Sequence, residues 1–220
     1  MRNLFFFFFF FFFFLSYGQI DNDCIHIDYT EYINYDVPVI RDETLIIDQK
    51  ENKTYFLMNI SSQIYSPDVD DNIKEEFQNS DVTATVARLT DYNYVIIDHH
   101  LKKMDMYYDF ARNFYKIDDI FPEMKWYITN EKNVINDIEC LKATTYFRGR
   151  EWSAWFAPSI SLPYGPWKFN GLPGLILKAE DNLKQHLFVA KLIKYNDNCN
   201  IEIPVNKVIK EISLKEIWLF

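Results

Sequence analysis

Thr44-Leu45-Ile46-Ile47-Asp48-Gln49-Lys50-Glu51-Asn52-Lys53-Thr54-Tyr55-Phe56-Leu57-Met58 carries the fold of this chain in miniature. Two apolar runs of strand length flank a charged segment that has no apolar residue to bury, the pattern of a hairpin with a solvated tip. The pattern recurs downstream. Tyr94 to Asp98 and Met104 to Tyr108 flank His99-His100-Leu101-Lys102-Lys103. Upstream, Ile25, Ile27 and Tyr29 alternate with His26, Asp28 and Thr30, a period of two that marks a half-buried strand.

Towards the C-terminus, Trp126 to Thr129 reads as a short strand and Asn130-Glu131-Lys132-Asn133 as a turn. Val134 to Phe147 reads as a long extended run. Arg148-Gly149-Arg150 turns the chain, and Glu151 to Phe156 returns with Trp152, Ala154 and Phe156 on one face and Ser153 and Trp155 on the other. Leu175 to Glu180 and Gln185 to Tyr195 follow, joined by a turn at Asp181 to Lys184. Short helices are expected only at Asp70 to Asn79 and Asn206 to Leu214. Long helical crossovers of the βαβ kind are missing, so the expected fold is mainly β, with α+β the alternative. It is a curved antiparallel sheet or partly closed barrel with one or two short helices.

Between the last two hairpins lies Tyr164-Gly165-Pro166-Trp167-Lys168-Phe169-Asn170-Gly171-Leu172-Pro173-Gly174-Leu175-Ile176-Leu177. It holds three of the five glycines of the protein. Gly165-Pro166, Asn170-Gly171 and Pro173-Gly174 are turn dipeptides; Pro presets φ, and Gly174 suits the position of a type II turn that needs φ > 0. Trp167 and Phe169 are expected to share one side of the segment between the turns. The glycine spacing fits neither a P-loop nor a dinucleotide-binding turn.

Arg2, the phenylalanine run Phe5 to Phe14 and the small residues Ser16 and Gly18 have the order of an export signal, with cleavage expected near Gly18 and a single domain over 19–220. The apolar stretch is shorter than the roughly 20 residues a spanning helix needs. The expected location is therefore periplasmic or secreted, with at most peripheral membrane contact. A formal charge of −9 argues against nucleic acid as a partner. Three cysteines, Cys24, Cys140 and Cys199, allow one disulfide in any of three pairings.

Arg148 and Arg150 could present guanidinium forks to a carboxylate or phosphate, or pair with acids such as Glu151. His99-His100 and the acidic residues Asp68, Asp70 and Asp71 lack the spacing of a metal site or calcium loop. No nucleophile elbow and no Cys/His motif is present. Neither a catalytic residue, a metal ligand nor a cofactor is therefore assigned. The candidate ligand-binding residues are Arg148, Arg150, Trp152, Trp155, Trp167 and Phe169. The structural turns are Gly149, Gly165, Pro166, Gly171, Pro173 and Gly174.

Cys140-Leu141-Lys142-Ala143, Phe147-Arg148-Gly149-Arg150, Trp152-Ser153-Ala154-Trp155-Phe156, Gly165-Pro166-Trp167-Lys168-Phe169 and Gly171-Leu172-Pro173-Gly174-Leu175-Ile176 stand in this order. Together they closely resemble the GLPGLI family of exported proteins of Bacteroidetes. The resemblance covers residues 126–195, and Trp152 and Ala157 depart mildly from the family pattern. It implies an envelope or secreted protein and carries over no catalytic residue. The expected role is a non-enzymatic binding or accessory module for an apolar or amphipathic ligand or an envelope partner. The alternatives are a hydrolase with dispersed catalytic residues and a purely structural assembly protein.

Overall fold

A computed structural model describes residues 23–34, 39–59, 63–64, 92–110, 113–196, 199, 201 and 209–213. The expected export signal, the Asp70 to Asn79 helix and the Asp68, Asp70 and Asp71 cluster lie outside the described residues. Among those described there is no helix, and none therefore long and apolar enough to cross a membrane.

The strands are β1 (Cys24–Ile33), β2 (Val39–Asp48), β3 (Lys53–Asn59), β4 (Gln63–Ile64), β5 (Tyr92–Asp98), β6 (Lys103–Phe110), β7 (Asn113–Ile120), β8 (Tyr127–Ile135), β9 (Ile138–Phe147), β10 (Arg150–Ala157), β11 (Leu175–Asp181), β12 (His186–Asn196) and β13 (Ile209–Ser213). They form one sheet in the order β13-β7-β6-β5-β3-β2-β1-β12-β11-β10-β9-β8, with the short β4 added beside β2. Every pairing is antiparallel except β13 on β7, which is parallel. The sheet is not closed into a barrel; β13 and β8 are its two ends. The helix expected over Asn206 to Leu214 is corrected at Ile209–Ser213, which is strand. Ladder bonds to the exposed edge of β7 satisfy that backbone where an isolated short helix would be marginal.

Two hairpins use the same tip chemistry. In β2–β3 the Asp48 carboxylate accepts the Glu51 N–H at 2.9 Å, and Asn52 closes the loop at φ 52°. In β5–β6 the Asp98 carboxylate accepts the Leu101 N–H at 2.7 Å, and Lys102 closes it at φ 51°. The stretch expected as one run from Val134 to Phe147 is broken at Asn136-Asp137. Both residues take positive φ, 51° and 61°, so a tight turn of the twist-compatible kind joins β8 to β9. The turn expected at Asn130 to Asn133 is instead part of β8, where the register to β9 shifts between Ile128 and Lys132.

Buried side chains of β1, β2, β3, β5, β6, β7, β9, β10, β11 and β12 build one core. Alanines line up across three strands of the C-terminal half, Ala143 opposite Ala154 and Ala154 opposite Ala179. All three are fully buried, and their small side chains lower the floor of that half. The sheet curls until its halves touch. The Tyr164 hydroxyl, beyond β10, donates to Asn52 Oδ1 at the tip of the β2–β3 hairpin, 3.0 Å away. Within one half, the Tyr29 hydroxyl of β1 reaches past β12 to donate to the Ile176 carbonyl of β11 at 2.7 Å.

The cysteines resolve as a Cys24–Cys199 disulfide, with Cys140 a buried free thiol. The bond ties the start of β1 to a segment 175 residues away.

Candidate functional site

The segment from Tyr164 to Leu177 is folded on itself by its own backbone. Tyr164 bridges Asn170, the Gly171 N–H donates to the Pro163 carbonyl at 2.9 Å and the Ile176 N–H to the Tyr164 carbonyl at 3.0 Å. Gly171 has φ +89°, as its turn requires. Gly174 does not take positive φ. It is corrected from a type II turn position to a packing glycine, since a Cβ there would collide with the Ala157 carbonyl. Trp167 is held at φ 54°, a left-handed conformation costly for a bulky residue.

That strained backbone aims the Trp167 ring at the hollow inside the curled sheet. The hollow has a volume of about 250 Å³. Its aromatic wall contains Trp167 and Trp152, whose ring centres are 6.0 Å apart, with Phe147 5.7 Å from Trp167. Phe56 and Phe188, 6.2 Å apart, continue the wall. Charged residues from both halves of the sheet complete the lining: Glu31, Arg41 and Glu43 from β1 and β2, and Arg148, Arg150 and His186 from the C-terminal half.

Of the six candidates named from sequence, four line this hollow: Arg148, Arg150, Trp152 and Trp167. Phe169 stands behind the wall, buried, with its ring 4.8 Å from Trp152 and 5.6 Å from Trp167. Trp155 alternates to the opposite face of β10, where Lys142 sits 5.8 Å over its ring; it takes no part in the site. The arginines pair with distant acids rather than with Glu151. Arg148 Nη2 donates to both Asp119 oxygens, at 2.6 and 2.5 Å, and Arg150 Nη1 donates to Asp181 Oδ2.

Both aspartate side chains are wholly buried. Burial pushes the Asp119 carboxyl up, but hydrogen bonds from Arg148 and Lys168 outweigh it and hold the group below the usual range. Asp181 behaves likewise: burial raises it, and the His186 and Gln185 backbone N–H groups together with Arg150 bring it below the usual range.

The carboxyls of Glu31 and Glu43 were not singled out in the sequence, yet their positions carried a signal. Glu31 shares the inward parity of Ile25, Ile27 and Tyr29, and Glu43 that of Leu45 and Ile47. A charge at an inward position needs a partner or a proton. Glu31 has partners: His186 Nδ1 is 2.8 Å from Oε1 and Arg41 Nη1 is 3.9 Å from Oε2. Glu43 is 2% exposed, and neither of its oxygens has a hydrogen-bond donor. It faces Glu31, and a bond between two carboxyls needs a proton on one of them. Burial first, then the charge of Glu31, push Glu43 far above the carboxylate range, with Arg41 opposing.

His99, considered as a metal ligand, lies elsewhere. Its Nε2 is 3.0 Å from Thr54 Oγ1 and its ring 4.6 Å from that of Tyr164; burial lowers its pKa to about 4. Among the described residues no group of three His, Cys, Asp or Glu side chains is placed to hold a metal ion.

No protein-family model matches the chain, and no curated protein matches it. Solved structures do. PNGF-II in a P21 crystal form superposes with a TM-score of 0.54 at 14% identity, over 89% of this chain and 32% of the matched one. PNGF-II in a C2 form gives 0.53 at 15%, over 88% and 31%. The chain thus spans about a third of the length of the structures it matches. At this identity the likeness is one of β fold.

Proposed function

We propose that this chain is an exported envelope protein of the GLPGLI type that binds a small amphipathic ligand inside its curled sheet, as a non-enzymatic module. The observation that carries the reading is the hollow of about 250 Å³ lined by both aromatic rings and charged groups. Pockets of mostly apolar lining with a few placed polar groups are the usual form of a small-ligand site. The Cys24–Cys199 disulfide supports export, because such bonds persist in oxidising compartments. An envelope protein is the alternative partner.

The test is native mass spectrometry of the protein purified from its own envelope under mild conditions. A small bound molecule, lost in a Trp167→Ala variant that still folds, is the expected result. Protein recovered consistently without bound small molecules, and with no thermal shift across an amphipathic compound panel, overturns the reading.

One observation favours the hydrolase alternative: Glu31 and Glu43 are two facing carboxyls in unlike environments, an arrangement used for acid–base chemistry. Turnover of chromogenic esters or glycosides that is lost in Glu43→Gln would establish it.

A further inference from the structure

The charged lining of the hollow is unevenly supplied with donors and acceptors. Arg148 spends one terminal nitrogen on Asp119, and Arg150 spends one on Asp181. A guanidinium carries five N–H groups, so each keeps donors for something else. Arg41 Nε is buried and has no hydrogen-bond partner. Charged acceptors are scarcer. Asp119 and Asp181 are saturated by the bonds already described, and Glu31 has His186 and Arg41. Glu43 is buried beside Glu31 with no hydrogen-bond donor, and the charge of Arg41 does not outweigh burial and Glu31, so it keeps its proton.

The charges follow the same way. Arg41, Arg148, Arg150 and Lys168 are four cations against the three anions Glu31, Asp119 and Asp181. One positive charge is left over, in a protein whose net charge is −9. Long-range electrostatics of the whole chain would not produce this; it is local to the hollow.

Resting on the reading of the hollow as a ligand site, we infer that it takes an organic carboxylate. The anion lies on Arg41, Arg148 and Arg150, and its apolar body lies against Trp152 and Trp167. A cavity of about 150 Å³ holds a benzene ring, so this hollow of about 250 Å³ suits an aromatic or short acyl acid on the order of ten non-hydrogen atoms. Bidentate geometry favours arginine over lysine for this task, and all three cations facing the hollow are arginines.

The test compares three probes of one shape and different charge: 3-phenylpropionate, 3-phenylpropanol and 3-phenylpropylamine. Binding to the mature, disulfide-bonded protein is followed by quenching of tryptophan fluorescence and by calorimetry. The carboxylate is expected to bind about tenfold or more tighter than the alcohol, with the amine weakest. Arg41→Gln should abolish most of that preference, whereas Trp155→Phe, on the outer face, should leave it intact. Should Arg41→Gln fail to fold, the wild-type preference must still shrink as salt rises from about 0.05 to 0.5 M. Equal affinity for acid and alcohol, or preference for the amine, overturns the charge assignment and leaves the ligand site standing. Failure of all three probes to bind, with nothing co-purifying, overturns both.

Discussion

The Lys168 ammonium and the Asp119 carboxylate meet at 2.8 Å with side chains 3% and 0% exposed, joining the glycine-proline segment to β7 across the inside of the sheet. Burial lowers the Lys168 pKa while Asp119 restores part of it. Removing one partner of such a pair strands the other, which costs far more than the pair contributes. Lys168→Met is therefore expected to lower unfolding free energy by about 3 kcal/mol or more in urea melts. The double variant Lys168→Met with Asp119→Asn should recover part of it. A Lys168→Met variant as stable as the parent would show that Arg148 alone satisfies Asp119.

Glu43 predicts a pH dependence opposite to that of a salt-bridged acid. Its folded pKa lies above the unfolded value near 4.3, so the native state binds more protons than the unfolded one. Its stabilising contribution is complete below that unfolded value and is lost as pH rises towards the raised folded pKa. Glu43→Gln cannot ionise, and should exceed the parent by about 1–3 kcal/mol at about pH 8, with the gap closing towards about pH 4. Paired melts at the two pH values decide it. A gap independent of pH would mean that Glu43 is ionised in the fold.

Cys24–Cys199 closes a loop of 175 residues in sequence separation. Reduction, or the Cys24→Ser with Cys199→Ser pair, is expected to cost about 2–5 kcal/mol, read from denaturant midpoints with and without reductant. Cys140 is buried and burial raises its pKa, so alkylating reagents should label it only after unfolding.

Gly149 and Gly174 separate two uses of glycine. Gly149 has φ +80° and open space where a Cβ would stand, so Gly149→Ala is expected to cost about 1 kcal/mol of backbone strain. Gly174→Ala drives a methyl group into the Ala157 carbonyl and should cost several times as much, about 3 kcal/mol or more. Thermal melts of the two variants side by side test the order; equal losses would mean that the β10–β11 connection can shift as a body.

What the sequence by itself determined is local. Alternation placed Trp152, Ala154 and Phe156 on one face and Trp155 on the other. The polar stretches Gln49 to Lys53 and His99 to Lys103 marked hairpin tips, and Asn170-Gly171 marked a turn. Each of these follows from dihedral preferences within a few residues. Even there the reach was short: the turn at Asn136-Asp137 was hidden inside an apolar run, because Ile135 and Ile138 flank it on both sides.

Only the tertiary structure decided which distant groups meet. Arg148 and Arg150 were visible as forks in a turn, but Asp119 and Asp181 were two acids among the 32 of the chain until pairing of β10 with β11 brought Asp181 to Arg150 and the curl of the sheet brought Asp119 to Arg148. Glu31 and Glu43 sit on adjacent strands, and their common hollow with Trp152 and Trp167 exists because the two halves of one sheet face each other. The physical reason is that burial and pairing are properties of the packed whole. A residue's parity says which way it points; what stands opposite, and whether a charge there keeps its proton, depends on chain segments from about a dozen to 155 residues away.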